Sequence, residues 1–323
     1  MKMKKNTIKK TFAQKIRRGD KTILYEFLPP PKNLSSQDID KSISLFATIL
    51  SKFPVDAINL PEVREETRNG IRISPALAKM EPRLVCPFLQ KYGMWDLIIN
   101  RPIVYLPWEK QQLWLKETCR KYNVQNYVFV GGESSKIAYP GLSVNDAAAW
   151  VKGQFQEEFP NICLGGIIIP TRKHEILRVL QKTQSGITFF TTQILFEDWF
   201  IKQFLKQLWE ECVKKHIKPP MVFLSFAPIA TPKDVELLRW LGVNVPEKTI
   251  KKLATGWIGM GWNSIQVCKK ILSDILRFVK ENGICIPLGL NVEHVSIHNL
   301  ELSFILVEEL SNIYLNQPRR KII

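Results

Sequence analysis

Two short segments of this chain place a hydrogen-bonding side chain where an apolar run stops. Tyr25-Glu26-Phe27-Leu28-Pro29-Pro30 ends the first such run, and Phe189-Phe190-Thr191-Thr192-Gln193 ends a later one. A carboxylic acid with apolar neighbours is a candidate general acid, because such surroundings raise its pKa toward neutrality. A primary amide offers both donors and an acceptor. An acid and an amide meeting at one site suit recognition of a polar heterocycle such as a pterin, purine or flavin, and delivery of a proton to it. Two plainer readings fit the same residues: Glu26 as an exposed carboxylate before a proline turn, and Gln193 as a loop cap.

Other polar residues recur where apolar runs end: Asn59 and Glu62, Gln90, Gly132 with Glu133, Thr171 with Arg172, Ser225, and Asn291 with Glu293. The set is poor in histidine and contains no cysteine nucleophile. HExxH, GxSxG and P-loop patterns are absent, which argues against zinc-dependent or triad hydrolysis. The six cysteines show no CxxC spacing and read as small, reduced hydrophobes; no metal site is expected. His294 and His298 stand four apart beside Glu293 and read as polar residues at a helix start. His174, with Arg172 and Lys173, is either a phosphate or carboxylate contact or a solvated basic turn. The glycine-rich stretch from Gly256 to Trp262 lacks a strand–turn–helix context for phosphate and reads as a helix connection.

The elements that must position these residues alternate. Apolar runs of strand length cover 23–27, 55–60, 83–88, 127–130, 163–169, 187–193, 221–226 and 284–290. Between and after them, helical spacing covers 36–53, 111–122, 144–159, 173–181, 199–215, 232–241, 246–253, 264–282 and 298–314. Eight such runs alternating with helices predict a single-domain (β/α)8 TIM barrel, whose active-site rim lies at the C-terminal ends of its strands. A doubly wound open sheet is the alternative, but no GxGxxG follows the first run. The expected organisation is a basic N-terminal leader over 1–21, a barrel over 22–315 and a tail over 316–323.

The chain has 323 residues, 45% of them hydrophobic, and a formal net charge of +16. That length and composition sustain a large core. No apolar run is long enough to span a membrane, and no secretory signal is evident, so a cytoplasmic location is expected. Half of the excess charge, +8, precedes residue 22. It reads as a solvated tail, or as an arm for nucleic acid or another anionic surface. No zinc finger, helix-turn-helix or aromatic RNA motif accompanies it.

In order along the chain, these motifs resemble the methylenetetrahydrofolate reductase family. Glu26-Phe27-Leu28-Pro29-Pro30 is similar to the family's first strand end, and Thr192-Gln193-Ile194-Leu195-Phe196-Glu197 to its sixth. Phe226-Ala227-Pro228-Ile229 matches its seventh in part, and Leu290-Asn291-Val292-Glu293-His294 looks like its last. The resemblance implies a (β/α)8 reductase that converts 5,10-methylenetetrahydrofolate to 5-methyltetrahydrofolate with NADH or NADPH. Glu26 would be the general acid. Gln193, Asn291 and Glu293 would bind substrate. Gly132, Glu133, Thr171 and Arg172 would face the cofactor.

The flavin side departs from the family pattern. Gly131-Gly132-Glu133 replaces Arg-Gly-Asp, Val85-Cys86-Pro87-Phe88 replaces a histidine-bearing third strand end, and Asn59-Leu60-Pro61-Glu62 and Ile169-Pro170-Thr171-Arg172 replace other usual pairs. FAD is therefore left open, and the chain looks closer to a flavin-independent branch described in actinobacteria. Two alternatives to the reductase remain. One is a non-catalytic pterin-binding partner subunit of a one-carbon enzyme complex. The other is a nucleic-acid-associated protein using the basic leader. A homo-oligomer or a partner subunit is compatible with either barrel reading.

Overall fold

A computed structural model describes residues 10–64, 78–132, 137–255 and 259–316. Its eight strands are β1 (Ile23–Glu26), β2 (Ala57–Pro61), β3 (Asp96–Pro102), β4 (Asn126–Val130), β5 (Cys163–Ile168), β6 (Phe189–Thr192), β7 (Met221–Phe226) and β8 (Leu288–Glu293). All neighbours pair in parallel and in chain order, and β1 closes on β8. The result is the single-domain (β/α)8 barrel that the alternating pattern predicts.

The helices are α1 (Phe12–Arg18), α2 (Ser36–Leu50), α3 (Pro82–Gln90), α4 (Trp108–Tyr122), α5 (Val144–Trp150), α6 (Gln156–Glu158), α7 (Glu175–Gln184), α8 (Trp199–Lys214), α9 (Pro232–Trp240), α10 (Glu247–Ala254), α11 (Met260–Glu281) and α12 (Leu300–Leu315). A π-helical turn over Val151–Phe155 joins α5 to α6. Helix α2 shows how local sequence sets the outer ring. Ser35 accepts a hydrogen bond from the Asp38 amide at its start, and Ile39, Ile43, Phe46, Ala47 and Leu50 form one buried stripe.

One strand differs from the sequence reading. Residues 83–88, read as the third strand, lie within helix α3, which begins at Pro82. A proline at the first helical position has no amide that the helix would use, so the segment starts a helix readily. Strand β3 comes after it, over Asp96–Pro102. Gln90 accordingly sits on a helix, where it donates to the Tyr122 carbonyl at 2.6 Å, and is not a strand-end residue. Strand β8 begins after Pro287, later than the apolar run suggests, since proline cannot donate within a central strand.

Side chains alternate between the outer face of the sheet and the inside of the barrel. Leu24, Ala57, Ile98, Val128, Cys163, Phe189, Met221 and Phe223 make an inner cluster at the N-terminal end. Two glycines make room for its rings. A Cβ at Gly165 would meet the Phe189 ring at 2.4 Å, and one at Gly289 would meet Phe223 at 2.3 Å.

Helix α1 lies against this inner cluster. Phe12, Ala13 and Ile16 are buried there, with the Phe12 ring 5.1 Å from Phe189 and 6.1 Å from Phe223. The Phe12 amide donates to Asp96 at 2.7 Å, and Lys15 pairs with Asp56 at 2.5 Å. Residues 12–18, read from sequence as part of a basic leader, thus plug the lower end of the barrel. Lys21 caps the end of α12 through the Tyr314 and Leu315 carbonyls.

Candidate functional site

Two residues beyond the inner-cluster positions of β1, β2, β3 and β7, the inner wall turns polar. Glu26 follows Leu24, Asn59 follows Ala57, and Asn100 follows Ile98. On the other side, Ser225 follows Phe223, while Asn291 and Glu293 extend the inner face of β8 from Gly289. Strand periodicity puts all six on the inner face at its C-terminal half. Their hydrogen bonds agree. The Asn59 and Asn100 amides both donate to Glu26 Oε2, at 2.8 and 3.2 Å. The Asn291 amide donates to Ser225 Oγ at 3.0 Å and to Glu293 Oε1 at 2.9 Å.

Three amide oxygens of this layer, Asn59 Oδ1, Asn100 Oδ1 and Asn291 Oδ1, are buried without a partner. Unsatisfied buried acceptors are rare and costly, and they mark places where a donor is expected. The site therefore favours a molecule rich in N–H groups.

Glu26 and Glu293 are Cα partners across β1 and β8. The pKa of Glu26 is raised well above the ordinary carboxylate value, first by removal from water and then by repulsion from Glu293; the Asn100 and Asn59 amides oppose this. Burial likewise pushes Glu293 up to about 7 against the pull of Ser225 and Asn291. Both acids thus have access to the protonated form near neutral pH.

Behind this layer, His294 is buried, with Nδ1 3.2 Å from the Tyr25 hydroxyl, which also lies 2.6 Å from Ser303 Oγ. Desolvation lowers His294 to about 4, so it is neutral at physiological pH and supports β1 from outside. It belongs to no metal cluster: no group of three or more His, Cys, Asp or Glu placed to hold a metal occurs among the described residues.

Gln193 lies apart from the acid pair. Its Nε2 donates to the Gly242 carbonyl at 2.9 Å, and with Thr171, Phe200 and Asn244 it lines a cleft over the ends of β5 and β6. Of the cofactor-side residues, Arg172 is held by buried Glu175 through two bonds of 2.6 and 2.8 Å. Gly132 lies under Tyr139, whose ring a Cβ would meet at 2.1 Å. Glu133 lies outside the described residues. Glu62 is paired with buried Arg101 at 2.5 Å, which stacks on Trp114 at 4.2 Å. Asn100 is the residue of this polar layer that sequence reading missed, because its strand was misplaced; Leu97-Ile98-Ile99 stopped by Pro102 was the signal for it.

Searches for similar proteins place the chain by fold alone. No protein-family model matches, and no curated protein matches by sequence. Among solved structures, one is described as an uncharacterized protein from Clostridium thermocellum that binds two copies of 5-methyl-5,6,7,8-tetrahydrofolic acid. It is similar with a TM-score of 0.75 at 22% identity, covering 93% of this chain and 98% of that one. A second, described as the crystal structure of apo-MsnO8, aligns with a TM-score of 0.54 at 11% identity, over 93% and 99%. Fold and site together define a TIM barrel with a polar, acid-bearing mouth.

Proposed function

We propose that this chain binds a reduced folate in the mouth of its barrel and donates a proton to it from Glu26, as a methylenetetrahydrofolate reductase-like enzyme. The observation that carries the reading is the polar inner layer. A half-buried carboxyl group held by two asparagine amides sits among three buried oxygens that lack donors. The 2-amino group and ring N–H groups of a reduced pterin are donors of that kind. The 5-methyltetrahydrofolate-binding protein of similar fold supports the choice of ligand.

In the proposed reaction, Glu26 gives its proton to N10 of 5,10-methylenetetrahydrofolate. The N10–methylene bond breaks and leaves an iminium at N5. A hydride from NADH or NADPH, bound as a second substrate, then reaches the exocyclic carbon to give 5-methyltetrahydrofolate. Asn59 and Asn100 hold the carboxyl group in place, and the raised pKa of Glu26 keeps it protonated for the task.

Three of the residues expected to face a cofactor, FAD or NAD(P)H, are engaged or turned to solvent. Gly132 is covered by Tyr139, Arg172 is engaged by Glu175, and Thr171 is exposed away from the acid pair. No step is assigned to a flavin. The same engagements favour a second reading, a folate-binding partner subunit that performs no reduction itself.

Equilibrium binding of 5-methyltetrahydrofolate to the purified protein, with NADH and NADPH oxidation assayed in the presence of methylenetetrahydrofolate, separates the readings. Binding with oxidation supports the reductase. Binding without oxidation supports the partner subunit. Absence of binding overturns both.

A further inference from the structure

The proposed reaction uses one acid, yet the inner wall carries two. Glu26 ends β1 and Glu293 ends β8, and their Cα atoms are paired where the barrel closes. Strand alternation turns both side chains inward, so neither can reach the outer ring of helices.

The side chains that reach them among the described residues are neutral. Asn59 and Asn100 reach Glu26 from β2 and β3, and Asn291 and Ser225 reach Glu293 from β8 and β7. The inner positions on the opposite strands are Val130, Ile167 and Thr191. The nearby charged groups among the described residues act elsewhere. Arg101 and Arg64 both bind Glu62. Lys79 acts on His294, which is itself neutral and bonded to the backbone of Glu26. Two ionised carboxylates side by side, without a cation, repel strongly in partly desolvated surroundings.

We propose that Glu26 and Glu293 form a pair that shares a single proton, in which Glu293 is a positioning residue that keeps the proton on Glu26 until a ligand takes it. The donors divide accordingly. A protonated Glu26 is itself a donor, and either Asn59 or Asn100 can turn its unpartnered oxygen toward it. Glu293, served by the Asn291 amide and the Ser225 hydroxyl, is the better site for the charge.

A consequence for catalysis rests on the folate reading; the shared proton does not. When the Glu26 O–H bond breaks and the proton joins the ligand nitrogen, both carboxylates become ionised beside a newly formed cationic iminium. The pair then stabilises that cation electrostatically. Hydride addition neutralises the ligand, the repulsion returns, and a proton from water restores the pair.

Infrared titration of the ligand-free, full-length protein tests the inference through the C=O stretch of protonated carboxylic acids. A protonated carboxyl band that persists through neutral pH to above about pH 8, where Glu293 has released its proton, and is lost there in Glu26→Gln is expected. In Glu293→Gln the Glu26 band should remain but disappear at lower pH, with roughly tenfold weaker proton affinity. In Glu26→Gln, by contrast, Glu293 should titrate where it does in the native protein, because Glu26 is neutral while Glu293 releases its proton; Glu293→Ala reads the shift of the Glu26 midpoint should Glu293→Gln not fold. Glu293→Asp should restore the native midpoint of Glu26. A native protein without the band at neutral pH, or a Glu26 midpoint unmoved by Glu293→Gln, overturns the pair. Failure of folate to bind would overturn the proposed function while leaving these titrations intact.

Discussion

Glu26 and Glu293 stand side by side on the inner wall of the barrel although 266 residues separate them in sequence, because β1 and β8 pair to close it. One acid is delivered by the first strand and the other by the last. The polar mouth is therefore assembled only when the ring is complete, and its chemistry depends on the closure of the fold.

Replacing Glu26 with glutamine keeps the shape of the site and removes its proton. Turnover of methylenetetrahydrofolate should fall by about 100-fold or more. The dissociation constant for 5-methyltetrahydrofolate should change little. Steady-state rates and equilibrium titration on the same preparation measure both, and an unchanged rate would remove Glu26 from the chemistry.

The acid pair also makes stability depend on pH. Glu293 is raised from 4.5 to about 7 by burial. Below about pH 4.5 the folded and unfolded chains both hold its proton. As pH rises the unfolded chain releases the proton first, so stability is lost progressively up to about pH 7 and stays lower above it. His294, lowered to about 4, acts in the opposite sense: its stabilising effect is present above about pH 6.5 and is lost as pH falls toward 4. Glu293→Gln isolates the first effect. Its melting temperature should exceed that of the native protein by a few degrees at pH 8 and converge with it near pH 4.

Phe12 should matter more than its place near the start of the chain suggests. Its ring fills the lower end of the barrel between Phe189 and Phe223. Phe12→Ala should lower unfolding free energy by about 3 to 5 kcal/mol, read from urea midpoints. Lys248→Ala, at an exposed position of α10, is the comparison and should be near neutral.

Arg101 tests a buried charge that has no part in the proposed chemistry. The residue is 4% exposed, and its guanidinium pairs with Glu62, donates to Gln111 and lies on Trp114. Arg101→Leu leaves Glu62 with Arg64 alone and should destabilise the fold by about 3 kcal/mol. Replacing Arg101 and Glu62 together with leucine should recover much of the loss. Thermal melts of the three proteins, analysed as a cycle, measure that recovery.

Gln193 is expected to act through the loop it holds as well as through any ligand. Its bond to Gly242 ties the end of β6 to the turn after α9, where Gly242 adopts φ +80°. Gln193→Ala should weaken folate binding by roughly tenfold, the scale of one lost hydrogen bond, and increase proteolysis near residue 242. Native affinity with native protease resistance would exclude both roles.

Much of the barrel is written in its alternation of strand-length and helical patterns. Met221–Phe226 is apolar apart from Ser225 and buried throughout, as a strand covered on both faces must be. The third strand failed for a physical reason. Leu84-Val85-Cys86 and Leu97-Ile98-Ile99 are equally short apolar runs, and periodicity cannot separate a buried strand from one buried turn of helix at that length. That error hid Asn100 and with it half of the support for Glu26. The acid pair was hidden differently: Glu26 and Glu293 were each visible at a strand end, but their adjacency depends on the register between the first and last strands. Gln193 and Arg172 show a third limit, since their partners Gly242 and Glu175 decide what the side chains are free to do.

The aromatic plug at the lower end carries a consequence for traffic. With Phe12 seated against Phe189 and Phe223, the interior is a cup and not a passage. Any two molecules that must meet inside it queue at the same doorway. Whichever sits deeper has to arrive first and leave last, and a compound lodged at the rim locks in what lies beneath it.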